Sequence, residues 1–281
     1  MQLTKLVTAT QRRIHLNRGA LASCVALAAF SASGYQGVAA GSEESVKIEY
    51  IAHASFRIQS SSGSRVLIDP YASRIWLGYD WPKGIDADAI LITHPHYDHD
   101  AGVFRGRTFP WPDDIPVYRE PGTYRVGDIV IHGIRGKHAD PYGKEFGQIN
   151  TIFVLEVAGI RIAHLGDNGP LTAANYAAIG DVDLLMVQID SKYHIVKPEE
   201  LERLRRRLHP RWLVPMHYRL ADLESDPDSP KDLGDIEPWL THQQNVVRLE
   251  GNTVRLSASD KQGHPEILVF QHSPLVKRPK E

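Results

Sequence analysis

The sequence predicts a mixed α/β sandwich, with sheets inside and helices outside. Three observations lead there. From Val46 onward, apolar runs of strand length alternate with turn signals. One segment carries the start and stop marks of an amphipathic helix. Histidines and aspartates gather where apolar runs end, which is where a rigid strand gives way to a loop that can aim side chains.

The first runs cover residues 46–51, 65–69 and 88–93, with Gly63-Ser64 as a tight connection before the second. Residues 128–134, 151–157 and 161–165 follow, the last two joined by Ala158-Gly159; short connections of this kind link hairpin strands. A helix is expected over 171–179, then strands at 182–189 and 212–215. Between those strands, Pro198-Glu199-Glu200 opens the clearest helix, and Arg205, Arg206 and Arg207 lie near its end. Acids at the start and bases at the finish both suit the helix dipole. Leu201, Leu204 and Leu208 form its buried stripe, and His209-Pro210 stops it. Residues 221–235 read as a polar loop, and a short helix is expected after His99. Strands at 246–249 and 254–256, joined by Gly251-Asn252, and a last one at 266–271 complete the series.

The first 40 residues differ in kind. They hold Lys5, Arg12, Arg13 and Arg18 and no acid, then an apolar stretch from Gly19 to Phe30, then small residues ending in Val38-Ala39-Ala40. That order is an export signal, so residues 1–40 are expected to be removed, leaving 41–281 as one periplasmic or secreted domain. Arg12-Arg13 also resembles a twin-arginine signal. The apolar stretch is too short to span a bilayer permanently. Losing four positive charges moves the formal net charge from −2 to −6. An acidic mature chain without a basic run argues against nucleic acid as the main partner. Cys24 is the only cysteine and lies in the signal, so any metal must be held by His and carboxylates.

The chemistry centres on His94-Pro95-His96-Tyr97-Asp98-His99, four potential ligands in six residues directly after Ala89-Ile90-Leu91-Ile92. Two imidazoles one residue apart can face one ion, while the following Asp and His reach a second. Three later strand ends offer completions: Gly136-Lys137-His138-Ala139-Asp140, His164-Leu165-Gly166-Asp167-Asn168 and Pro215-Met216-His217-Tyr218. An all-nitrogen-and-oxygen set suits Zn²⁺ first and also accepts Mn²⁺ or Fe.

In that order (HxHxDH, His, Gly-Asp, His) the sequence resembles the metallo-β-lactamase superfamily of metal-dependent hydrolases. Ile51-Ala52-His53-Ala54-Ser55-Phe56 and Leu67-Ile68-Asp69-Pro70 resemble its opening strands. The likeness covers residues 46–220 and is nearest to the branch holding ascorbate-phosphate lactonases and N-acylphosphatidylethanolamine phospholipase D enzymes. It implies a four-layered αβ/βα sandwich with the site at one sheet edge. It further implies that His94, His96 and His138 hold a first divalent ion, that Asp98, His99 and His217 hold a second, and that Asp167 bridges them. Two ions could then share an activated hydroxide, which Asp98 would orient. His132 competes with His138 but lies within an apolar strand, where a packed, non-ligating role is expected.

The remaining candidates are weaker. His53 is either a core histidine or a hydrogen-bonding partner of a ligand, and His164 is expected to support the site in the same way. His194 lies in a segment that lines the pocket in related enzymes, where it could touch substrate or donate a proton. His209, His242, His264 and His272 are expected to be solvated. Tyr71, Trp76, Tyr79, Trp81, Phe109 and Trp111 could wall a pocket or pack loops onto the sandwich, and Arg219 could meet an anion or solvent. The expected function is hydrolysis of an ester, lactone or amide, with a small-molecule substrate as the partner expected of a hydrolase; the alternatives are a phosphodiesterase and a non-catalytic metal- or ligand-binding protein. The likeness leaves oligomeric state undetermined.

Overall fold

A computed structural model describes residues 44–102, 114–139, 149–189, 196–223 and 233–277. The chain begins with β1 (Ser45–Ala52), β2 (Ser55–Ser60), β3 (Arg65–Ile68), β4 (Ala89–Leu91) and β5 (Val117–Tyr118). Then come β6 (Gly122–Val126), β7 (Ile129–Lys137), β8 (Ile149–Val157), β9 (Ile160–His164), α1 (Ala173–Ile179), β10 (Leu184–Gln188), α2 (Pro198–Leu208) and β11 (Trp212–Met216). The chain continues through α3 (Glu237–Leu240), β12 (Val246–Arg248), β13 (Thr253–Ser257) and β14 (Glu266–Val269).

Two sheets result, one ordered β13-β1-β2-β3-β4-β5 and the other β12-β14-β11-β10-β9-β8-β7-β6. The period of two along the strands explains their stacking. Val46, Ile48 and Tyr50 of β1 and Phe56 and Ile58 of β2 face Ile129, Ile131, Phe153, Leu155, Leu184 and Met186 of the other sheet. Lys47, Arg57 and Gln59 alternate with them on the outer face. The outer face of the eight-stranded sheet is covered by α1, α2 and α3, through Tyr176, Ile179, Leu201, Leu204, Leu208 and Leu240. The outer face of the six-stranded sheet is covered by Tyr71, Leu77, Tyr79, Ile85 and Ala87, which come from the connection between β3 and β4. The α/β sandwich is therefore as expected, and among the described residues its covering layers differ: helices on one side, an aromatic loop on the other.

Local signals placed the helices. Thr172 caps α1 by accepting from the Asn175 N–H, with Asn175 returning the bond. In α2, Pro198 stands in the first turn and His209 ends the helix in the left-handed region at φ 49°, its N–H donating to the Arg205 carbonyl. The expected helix after His99 is not formed over 99–102, which are turns and irregular backbone; residues 103–113 lie outside the described ones. Two strands had not been expected: the two-residue β5 and the edge strand β6, whose Gly122, Thr123 and Arg125 are exposed. An edge strand has one solvated side and carries little apolar pattern to read.

Candidate metal centre

Parallel pairing decides where the site forms. β3, β4 and β5 run parallel in one sheet, and β9, β10, β11 and β14 in the other. Their carboxyl ends gather at one edge, where open α/β sheets bind ligands. The hexapeptide leaves β4 there, Asp167 follows β9, His217 follows β11, and His138 follows β7, two strands along from β9. His94, Asp98, His99, His138, Asp167 and His217 are each at least nine-tenths buried. His96 is part-buried and Tyr97 exposed, so the cluster opens to solvent on that side.

All seven expected donors come together. Asp167 Oδ1 lies 3.3 Å from His99 Nε2, and Asp167 Oδ2 lies 3.2 Å from His217 Nε2, 3.7 Å from His138 Nε2 and 3.9 Å from His94 Nε2. Asp98 Oδ2 is 3.4 Å from His217 Nε2 and 3.5 Å from His99 Nε2. His94 Nε2 and His96 Nδ1 are 3.0 Å apart. Four donors at Zn–N and Zn–O distances around a tetrahedral ion stand about 3.3 Å from one another. Asp98 lies at nearly that spacing from His99 and His217, and so does Asp167, while His94, His96 and His138 form a second group.

The tautomers also fit a cation. His99 Nδ1 donates to Asp69 Oδ2 at 2.8 Å. His94 Nδ1 lies 3.0 Å from Thr93 Oγ1, whose hydroxyl donates to Asp69 Oδ2 at 2.7 Å. His138 Nδ1 donates to the Ala139 carbonyl at 2.6 Å. Each Nδ1–H is thus engaged outward, which turns Nε2 toward the cluster as the ligating nitrogen.

Electrostatics agree. Burial pushes the His94 imidazole well below its ordinary range, with His99 adding to it, and takes His96 down to about 4. Burial and then His217 lower His53 to about 3; burial lowers His164 too. Neutral imidazoles are the form that binds metal. Burial works to raise the Asp98 carboxyl, but the adjacent His99, His217 and His53 outweigh it and hold the group well below the usual range. His99 runs the other way. Burial opposes its charge, yet Asp167, Asp98 and Asp69 raise it to about 10. In effect a proton on His99 stands where a cation would neutralise the carboxylates.

Supporting groups were only partly visible in the sequence. Asp69, at φ 48° and fully buried, accepts from the Thr93 N–H and hydroxyl as well as from His99. The sequence showed Asp69 and Thr93 as the ends of two apolar runs, Asp69 also within a family-like opening segment, and gave neither a role at the site. Asn150 and Asn168 hold the Asp167 loop: Asn150 Oδ1 accepts from the Asp167 N–H, and Asn168 Oδ1 accepts from the Lys137 N–H beside His138. Gly166, at φ 56°, is required here, because a Cβ would lie 2.5 Å from Asn150 Oδ1 and 2.7 Å from Thr93 Cβ. His164 donates to the Ala54 carbonyl and accepts from the Gly166 N–H, the supporting role expected of it.

Other candidates lie apart. His132 lies apart from the cluster and, contrary to expectation, is not packed inside. It sits beside Thr123 of the edge strand and Glu156, because β7 pairs with an edge and keeps a solvated face. His209, His242 and His264 are exposed; His272 departs from expectation, being part-buried and bonded to Asp222 at 2.7 Å. Tyr71 packs edge-on against Tyr79 and Trp81, so those aromatics hold their loop on the sheet, whereas Trp76 meets His53 at 6.0 Å. Arg219 faces Asp235 at 3.5 Å. His194, Phe109 and Trp111 lie outside the described residues.

Residues 47–217 match the family model of the β-lactamase superfamily domain. A UPF0173 metal-dependent hydrolase of Rubrobacter xylanophilus is 30% identical over 61% of this chain and 81% of its own length. One from Thermococcus onnurineus is 30% identical over 67% of this chain and 92% of its own. A crystal structure of a Zn-dependent hydrolase of the metallo-β-lactamase superfamily from Thermotoga maritima is 25% identical, covering 80% of this chain and 98% of that one, with a TM-score of 0.57. With that fold, that run of matched residues and those relatives, the chain belongs to the metallo-β-lactamase superfamily and is a metal-dependent hydrolase.

Proposed function

We propose that this chain is an exported hydrolase cleaving an ester, lactone or amide bond of a small molecule at a centre of two divalent cations. His94, His96 and His138 would hold one, Asp98, His99 and His217 the other, and Asp167 would serve both. One observation carries this: a single buried carboxylate, Asp167, lies within 4 Å of imidazole nitrogens from both groups. When bound, the cations supply a water of pKa about 7 and polarise the scissile carbonyl; Zn²⁺ suits the imidazole-rich set, with Mn²⁺ or Fe as alternatives.

The residues do the rest. Asp98 stays ionised, so it accepts a hydrogen bond from the attacking water and orients it. Asp69 and the Ala139 carbonyl keep His99 and His138 in the ligating tautomer. His194 is the proposed proton donor to the leaving group. Export is supported by the basic, apolar, small order of residues 1–40. Among the described residues, no helix is long and apolar enough to cross a membrane.

The test couples metal analysis of the full chain to a screen of lactones, esters, amides and bis-p-nitrophenyl phosphate, with cell fractionation for export. Two ions with turnover of carbonyl substrates is the expected result. Preference for the phosphodiester would overturn the bond type, and two ions with no hydrolysis of any substrate would leave a storage role.

A further inference from the structure

We propose that His53, outside the seven-residue donor set, is the positioning residue that joins Asp98 and His217 into one cation site. This rests on the two-cation centre proposed above. The side chain does half of the work. His53 Nε2 lies 3.0 Å from Asp98 Oδ2 with both groups buried. A carboxylate only accepts, so Nε2 carries the proton and donates. The backbone does the other half, since the His53 carbonyl accepts from the His217 N–H at 3.0 Å. It also accepts from the Tyr50 hydroxyl at 3.2 Å, which ties it to β1.

The conformation is held against its own preference. His53 sits in the turn where Ala52 of β1 pairs with Ser55 of β2, at φ 60°, the left-handed region that favours glycine. His217 is left-handed too, at φ 61°. The His53 ring packs tilted against the His217 ring, centroids 4.0 Å apart, and meets His99 at 5.5 Å and Trp76 at 6.0 Å, so neighbours confine it on three sides. A His53 ring nitrogen also lies within 4.8 Å of donor atoms of Asp98, His99 and His217, which makes direct ligation the competing role. Donation is favoured because His53 Nε2 stands at hydrogen-bond distance from Asp98 Oδ2, and because Asp167, 3.3 Å from His99 Nε2 and 3.2 Å from His217 Nε2, is at hand as the further donor.

The test uses the full chain, wild type beside His53→Gly and His53→Gln. Glycine keeps the left-handed backbone and its carbonyl while deleting the ring; glutamine restores a side-chain N–H. Zn²⁺ stoichiometry and affinity are read by competition with a chromophoric chelator, Co²⁺ spectra report the donor set, and circular dichroism checks the fold. We expect His53→Gly to keep one ion at wild-type affinity and to bind the second about 10–100-fold more weakly, with His53→Gln recovering most of the loss. A wild-type chain with two ions and a His53→Gly variant indistinguishable from it overturns this proposal alone. Failure of glutamine to rescue, with a Co²⁺ spectrum showing one nitrogen donor fewer, replaces positioning by ligation. A wild-type chain that takes up a single ion overturns the two-cation centre and this proposal with it.

Discussion

Replacing Asp69 by asparagine should damage the centre from outside it. The carboxylate is fully buried and accepts three bonds: Thr93 N–H at 2.7 Å on Oδ1, and Thr93 Oγ1 at 2.7 Å and His99 Nδ1 at 2.8 Å on Oδ2. In Asp69→Asn, Oδ1 can still receive the Thr93 N–H. The amide NH₂ replaces Oδ2, and Thr93, a hydroxyl, can turn to accept from it. His99 cannot adapt without cost. Its Nδ1–H would meet another donor, or the ring would change tautomer and point Nε2–H at Asp98 and Asp167. Losing one charge-assisted hydrogen bond costs about 1.5–3 kcal/mol of stability. The wrong tautomer should weaken metal binding by about 10–100-fold. Urea denaturation of chelator-stripped protein reads the first quantity and competition titration with Zn²⁺ the second. Wild-type stability and affinity in this variant would refute the tautomer argument.

Asp98→Ala should reduce turnover to background while circular dichroism stays unchanged; retained turnover would count against a catalytic Asp98. The pH dependence of the metal-free protein follows from two opposite shifts. His99 is raised to about 10, so its contribution is complete below the ordinary histidine range and is lost as pH rises through 10. His96 is lowered to about 4, so stability also falls as pH drops from the ordinary range toward 4, where the unfolded chain binds the extra proton. Thermal melts from pH 4 to about 10 should therefore peak in between, and saturating Zn²⁺ should remove the alkaline loss because a cation takes the place of the His99 proton. Gly166→Ala, which must push a Cβ to within 2.5 Å of Asn150 Oδ1 at φ 56°, should cost about 2–4 kcal/mol by urea denaturation.

The hexapeptide was legible because its donors are local. Ala89-Ile90-Leu91 is apolar on both faces, as a buried parallel strand must be, and the loop at its end carries four donors in six residues. His138, Asp167 and His217 were legible for the same reason, each at the end of an apolar run. The helix α2 was legible from its proline, its charge order and its leucine stripe. What escaped was shallow or distant in sequence. Strand β6 is an edge with a solvated face, and the turns after His99 lack the cap that a helix would have shown.

By itself the sequence determined the donor types, their order along the chain and the α/β alternation that carries them, because each is written within a few residues. Only the tertiary structure decided which groups hold those donors in place. Asp69 reaches His99 because β3 lies parallel to β4, Ile68 opposite Leu91, and His53 reaches Asp98 across 45 positions because the first hairpin folds over the same sheet edge. Such contacts depend on strand register, and register is set by the packing of both sheets together rather than by any one segment.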